Sequence, residues 1–210
     1  MLLLLPSEVR IAVDVDGVIL DTPTKWMEVY NRKYRTNHTT DVMTNWNSHV
    51  KLGISKKEFF KILKTACKEI EFIQPCFELA PYYMFLLKQK NHVDIVTGSV
   101  AKRGLLIGRL EQLHIRQGYE YNELIQLPPD NKFAKLNLKY DIYVDDNPNL
   151  ATEIDGYGLQ GGRIFQVLVT QPWNKYYQPK RNVMRAYNWE DINEGIELFR
   201  VILEIKHDTD

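Results

Sequence analysis

Four short runs of apolar, β-branched residues constrain the fold of this chain more than any other feature. They read VRIAVDV (9–15), HVDIVT (92–97), YDIYVD (140–145) and RIFQVLV (163–169), with a weaker run, ELIQL (123–127), between the second and third. Branching at Cβ favours extended backbone and packs well on a pleated surface. Helix-like stretches separate the runs, which is the rhythm of βαβ units. The expected class is therefore α/β, a Rossmann-like parallel sheet with helices on both faces. In such sheets the ligand lies at the carboxyl ends of the strands, near the point where strand order reverses. Polar residues gather at those ends: Asp14 and Asp16, Thr97 and Ser99, Asp145 and Asp146.

Residues 16–91, between the first two strong runs, far exceed what a crossover needs. Thr22-Pro23 supplies an N-cap and a first-turn proline for a helix reaching about Tyr34, with Asp21 helping to start it. Ser55-Lys56-Lys57-Glu58 is a capping box opening SKKEFFKILKTACKEI. A third helix around LAPYYMFLLKQK leads back to the sheet. Residues 22–78 are expected to form a small helical cap over the strand ends, with 1–21 and 79–210 as the core domain. A final helix should start at Asn188, carry Asp191 in its first turn and reach about Lys206.

Composition narrows the partners. Lys plus Arg and Asp plus Glu balance at 27 each, so no global basic field exists to hold a polynucleotide, and nucleic acid is not an expected partner. Cys67 and Cys76 are too few for a disulfide framework and lack zinc-site spacing; they are expected as buried thiols in a reducing compartment. MLLLLP lacks a basic n-region and is stopped by Pro6-Ser7-Glu8, and no run reaches membrane-spanning length. A cytoplasmic protein without a membrane partner is expected, and the sequon Asn37-His38-Thr39 then carries no weight.

Asp14 and Asp16 sit where the first strand ends, and Gly17 permits a sharp turn that lets both approach one ligand. If Asp145-Asp146 joins them, up to four negative charges share one crevice, which demands protons or a cation. Oxygen ligands with no His or Cys beside them favour Mg²⁺ that keeps several waters.

These residues carry a resemblance. DVDGVILDT resembles the first motif of the haloacid dehalogenase-like phosphohydrolases, IVTGS the second, Lys135 the third-motif lysine and YVDDNP the acidic fourth motif. Order and spacing match across residues 9–150, and the insertion sits where a C1-type cap would. The resemblance implies that Asp14 is the nucleophile and Asp16 the general acid and base. It implies that Mg²⁺ is held by Asp14, the backbone carbonyl of Asp16 and Asp146, with Asp145 at or near the ion. Thr97, the neighbouring N–H groups of Gly98 and Ser99, and Lys135 would then bind the phosphoryl oxygens. Lys132 is the rival to Lys135. The plainer readings stand beside these: Thr97 and Ser99 satisfying backbone groups, Lys135 on a solvated helix face, and Lys102 and Arg103 either touching phosphate or facing solvent.

The tail QPWNKYYQPKRNVMRAYNWEDI resembles the end of the 5'(3')-deoxyribonucleotidase family, although TGS stands where a Thr-Ser pair is expected, with Ser99 as the substitute. The implied partner is a small phosphate ester, foremost a nucleoside monophosphate. The alternatives are a polynucleotide 3'-phosphate, a sugar phosphate, or a receiver-like module that is phosphorylated without turnover. A nucleotide needs a flat apolar slot, for which the cap offers Trp46 in TNWNSH and the i, i+4 pair Trp26 and Tyr30, a face that either lines the pocket or packs the cap. At least one of Phe59 and Phe60 should be core, and Trp189 a packing residue. A homodimer is neither required nor excluded.

Overall fold

A computed structural model describes residues 8–128, 140–160 and 162–207, with side chains as far as Leu203. The alternation within the apolar runs decides its layers. Ile11, Val13, Ile142, Val144 and Val167 enter one buried cluster, while Ala12, Tyr143 and Leu168, the residues between them, enter another. A strand whose successive side chains are buried on opposite faces belongs to a sheet covered on both sides.

The strands are β1 (Arg10–Val13), β2 (His92–Thr97), β3 (Leu124–Gln126), β4 (Ile142–Asp145), β5 (Phe165–Val169) and β6 (Val183–Ala186). They form one sheet in the order β3-β2-β1-β4-β5-β6, and every neighbouring pair is parallel. The helices are α1 (Thr22–Tyr34), α2 (Ser48–Lys51), α3 (Lys56–Ala66), α4 (Ala80–Lys90), α5 (Arg103–Gln112), α6 (Pro148–Leu159) and α7 (Trp189–His207). Met84 of α4, Leu106 of α5 and Ile192 of α7 pack on the face of Ile11; Leu150 and Ile154 of α6 pack on the face of Ala12. Among the described residues no helix is long and apolar enough to cross a membrane.

The chain runs outward from β1 to β3 and then returns to lay β4 on the other side of β1, so strand order reverses between β1 and β4. Ile11 pairs with both Val93 and Ile142, which makes β1 the middle of this region. Two strand ends therefore diverge above one crevice, and a ligand can enter there.

The inserted segment has its own apolar centre. Trp26, Met27, Tyr30, Met43 and Ile62 cluster together, and Trp173, from beyond β5, joins them. Asp21, rather than the expected Thr22, caps α1 by accepting from Thr24 N at 3.2 Å, which leaves Thr22 as the first helical residue, and Ser55 caps α3 by accepting from Glu58 N at 3.2 Å. The Glu58 carboxylate pairs with Lys33 and so joins α3 to α1. Two connections run side by side to the core: Asp21 N donates to Gln74 O at 2.8 Å and Cys76 N to Ile19 O at 2.9 Å. The Arg109 guanidinium on α5 grips the Ile73 carbonyl through Nε at 2.9 Å and Nη2.

Three elements differ from the sequence expectation. SKKEFFKILKTACKEI is not one helix: α3 ends at Ala66 and a 3-10 turn, Cys67–Phe72, follows, with Glu69 out of helical geometry. The bend turns Cys67 and Ile70 into the main core cluster rather than the cap's. Strand β5 starts at Phe165, where Phe165 N meets Asp141 O at 2.9 Å, and β6 was not anticipated. NVMRA is too short to signal a strand; it pairs because Gln166 N reaches Asn182 O and Thr170 N reaches Ala186 O, each at 2.8 Å.

Trp189 is buried and stacks on Tyr83 at 6.3 Å between centroids, which ties α7 to α4. Trp189→Ala should cost about 3–5 kcal/mol of unfolding free energy, read from the urea midpoint, as large aromatic truncations in a packed core do.

Candidate active site

The first acidic strand end is built by a tight turn. Beyond Val13 the Val15 carbonyl accepts from Ile19 N at 2.9 Å and Leu20 N at 2.8 Å, folding residues 15–20 back on themselves. Asp14 stays registered to the sheet, because its N–H donates to Val144 O at 2.9 Å. Its Oδ1 accepts from Val15 N at 2.8 Å. Asp145 closes β4, and its Oδ1 accepts from Asn147 N at 2.9 Å.

Gly17 makes the approach possible. Its φ is +81°, and a Cβ placed there would lie 2.2 Å from Asp146 Oδ2. The position thus excludes side chains twice, by backbone conformation and by the carboxylate pressed against it.

One oxygen from each of Asp14, Asp145 and Asp146 lies within 4.8 Å of the others, and all three residues are buried. Three carboxylates this close repel strongly unless a positive charge offsets them. The donor set is all oxygen, and hard divalent cations such as Mg²⁺ prefer such sets. The residues present therefore fit the ion that the sequence motifs imply.

The Asp16 carboxylate is not one of the three. Its Oδ1 accepts from the Thr22 hydroxyl at 2.5 Å. Thr22 opens α1, so the first residue of the cap helix fixes this carboxylate. The sequence presented Thr22 only as a helix-starting residue.

Asp14, Asp16, Asp145 and Asp146 form the floor of a cleft of about 360 Å³. Its walls come from the cap, including Trp26, Met43, Trp46, Phe59 and Phe60, with Gly98 and Val100 on one side and Trp173 on another. Trp26 does both things weighed for it, packing the cap core and lining the cleft. Trp46 is partly exposed at the wall. Asn47, Ser48, His49 and Lys56 add a polar arc, with Lys56 Nζ 5.7 Å from the centre of the Phe60 ring.

Other residues lie apart from the cleft wall. Tyr30 is buried in the cap core beside Tyr34, and its hydroxyl donates to Leu52 O at 3.3 Å. Its place four residues after Trp26 puts it one turn farther along α1, where it clusters with Ile62 and Ala66 of α3 and meets the His38 ring. Lys102 is exposed at the N-cap position of α5. Thr97 and Ser99 are buried, and their hydroxyls accept from Ser99 N at 3.1 Å and Ala101 N at 3.4 Å, so both shape the loop after β2. Lys135 and Lys132 lie outside the described residues.

Cys67 lines the cleft as a buried thiol. Burial, and then the charge of Asp16, pushes its thiol up to about 12, while a hydrogen bond with Ser99 acts weakly the other way. A thiol in that state is protonated at neutral pH.

Comparison with known structures assigns the architecture. No protein-family model matches the sequence, and no curated protein matches it. A haloacid dehalogenase-like family hydrolase from Streptococcus pneumoniae superposes with a TM-score of 0.62 at 13% identity, over 90% of this chain and 99% of the other. The chain has the fold of the haloacid dehalogenase-like hydrolases. A HAD family hydrolase from Deinococcus radiodurans, solved with bound phosphate and sodium, matches with a TM-score of 0.54 at 12% identity over 92% and 96% of the two chains. The candidate HAD hydrolase YfnB from Bacillus subtilis, whose structure has magnesium bound and shows interdomain movement, matches with a TM-score of 0.51 at 14% identity over 89% and 97%. None of the three is described as a nucleotidase.

Two outcomes check this geometry. Gly17→Ala should displace the Asp146 carboxylate and weaken Mn²⁺ binding by at least about tenfold, measured by titration on folded protein. At pH 7.5 iodoacetamide should leave Cys67 unmodified by mass spectrometry until urea unfolds the chain, because the thiolate fraction is negligible far below the thiol's pKa.

Proposed function

We propose that this protein is a Mg²⁺-dependent phosphomonoesterase acting on a small phosphate ester, foremost a nucleoside monophosphate. The observation that carries the reading is the convergence of Asp14, Asp145 and Asp146 at the strand-order reversal, with Asp16 held separately by Thr22. A site that only bound metal would have no use for a fourth carboxylate kept out of the cluster.

In this reading Asp14 would ligate Mg²⁺ with Asp145 and Asp146, and the bound ion would offset their charge and that of the phosphoryl oxygens. An Asp14 carboxylate oxygen forms a bond to phosphorus as the ester P–O bond breaks, giving an aspartyl-phosphate. Asp16 donates its proton to the departing alkoxide. It then takes a proton from the water that attacks the same phosphorus, which releases phosphate and restores Asp14. Thr22 fixes the orientation of the carboxyl that moves both protons. The N–H of Gly98, which lines the cleft, would bind a phosphoryl oxygen, as would a lysine of the third motif, Lys135 or Lys132.

The cleft walls support a substrate with a flat, weakly polar group. Phe59 and Phe60 are half-buried at the cleft and Trp46 stands partly exposed at its wall, aromatic groups of the kind that stack on a base. The polar arc of Asn47, Ser48, His49 and Lys56 favours a second reading, a sugar phosphate whose hydroxyls those groups would bind.

Phosphate release should be assayed with Mg²⁺ or EDTA on deoxyribonucleotides, ribonucleotides, sugar phosphates and 3'-phosphorylated oligonucleotides. Mg²⁺-dependent release foremost from nucleoside monophosphates is expected; preference for the sugar phosphates would move the assignment to the second reading. No release from any of them would overturn the enzyme assignment. Asp14→Asn should abolish turnover while the fold persists, and Asp16→Asn should lower kcat about 10²–10⁴-fold, the usual worth of a positioned acid and base.

A further inference from the structure

The tail after β5 holds the acidic site from behind. Asp146 lies one residue beyond the end of β4, where the strand ladder no longer fixes its backbone. Its carbonyl instead accepts from Asn174 Nδ2 at 2.8 Å. The same Asn174 amide donates to Val169 O, the last residue of β5, at 2.7 Å. Asn174 Oδ1 accepts from Gln171 N at 3.0 Å and from Arg185 Nη1 at 3.2 Å. Both donors and both acceptor directions of this buried carboxamide are thereby used.

Arg185, on β6, closes the arrangement. Its Nη2 donates to Asn174 O at 3.0 Å and Tyr177 O at 2.6 Å, and its Nη1 also reaches Thr170 Oγ1 at 3.1 Å. A planar guanidinium with several fixed partners holds its loop more rigidly than a lysine would. The loop also reaches the other wall of the site, since Gln171 Nε2 donates to Gly17 O at 2.7 Å. Gly17 and Asp146, which lie against each other, are thus each held through a backbone carbonyl by a residue of one loop, Gln171 and Asn174.

We infer that Asn174, locked by Arg185, is a positioning residue that sets the Asp146 carboxylate at the distance from Asp14 and Asp145 that a divalent cation requires. This rests on the metal-site reading above. Groups that orient ligands from behind typically contribute 10–100-fold to metal affinity.

The test is Mn²⁺ titration of the full chain, followed by electron paramagnetic resonance, alongside urea unfolding. Asn174→Ala should weaken Mn²⁺ binding about tenfold or more in protein that remains folded. Asn174→Asp keeps the volume but turns acceptors toward two carbonyls, so it should weaken binding at least as much. If Asn174→Ala does not fold, Arg185→Lys, which keeps the charge and loses the fork, should show the same weakening to a lesser degree. A tail with a merely structural role would lower the urea midpoint and leave the Mn²⁺ dissociation constant of the folded protein unchanged, which would overturn the inference. Failure of the unaltered protein to bind Mn²⁺ would instead overturn the metal-site reading, and the inference with it.

Discussion

Mutual repulsion among Asp14, Asp145 and Asp146 is the constraint to which the surrounding structure answers. Three buried carboxylates within 4.8 Å of one another oppose the folding that assembles them. What offsets this is the apolar sheet beneath. Ile11, Val13, Ile142 and Val144 are fully buried, and the β1–β4 pairing that burial favours delivers the acids to one place. The site is a load carried by the core, and a bound cation would relieve it.

That division of labour explains the detail around the cleft. The turn at residues 15–20 brings the Asp16 carboxylate to the Thr22 hydroxyl, outside the group of three. Gly17 leaves room for Asp146 where any other residue would collide with it. The inserted helices bring the aromatic walls, and their attachment by paired connections at residues 19–21 and 74–76 keeps those walls above the floor. The acidic floor and the aromatic walls of the cleft therefore come from different parts of the chain.

Much of this was legible in the sequence, for identifiable reasons. β-Branched runs ending in acids gave the strands and the rim, and Asp21, Pro23 and Ser55 gave the helix starts, because each signal is local. Tyr30 illustrates the limit: helical spacing from Trp26 says that two side chains share a face, not how far along that face the cleft extends. β6 was invisible because four residues, Val183–Ala186, pair through partners distant in sequence. Asn174 and Arg185 stand within the tail quoted for its family resemblance, but a role exercised through another residue's carbonyl leaves no mark on spacing. Thr22 was hidden by serving two purposes, since a helix-opening threonine already has an explanation.

The dependence of Asp146 on residues 169–185 also has a consequence in time. A chain emerging from its amino terminus acquires Asp14 first, Asp145 and Asp146 later, and the segment that fixes Asp146 after them. Because β5 and β6 occupy one margin of the sheet, they can be added to an assembly of β1–β4 that already exists. Until that segment is in place, the Asp146 carbonyl lacks the Asn174 amide that holds it.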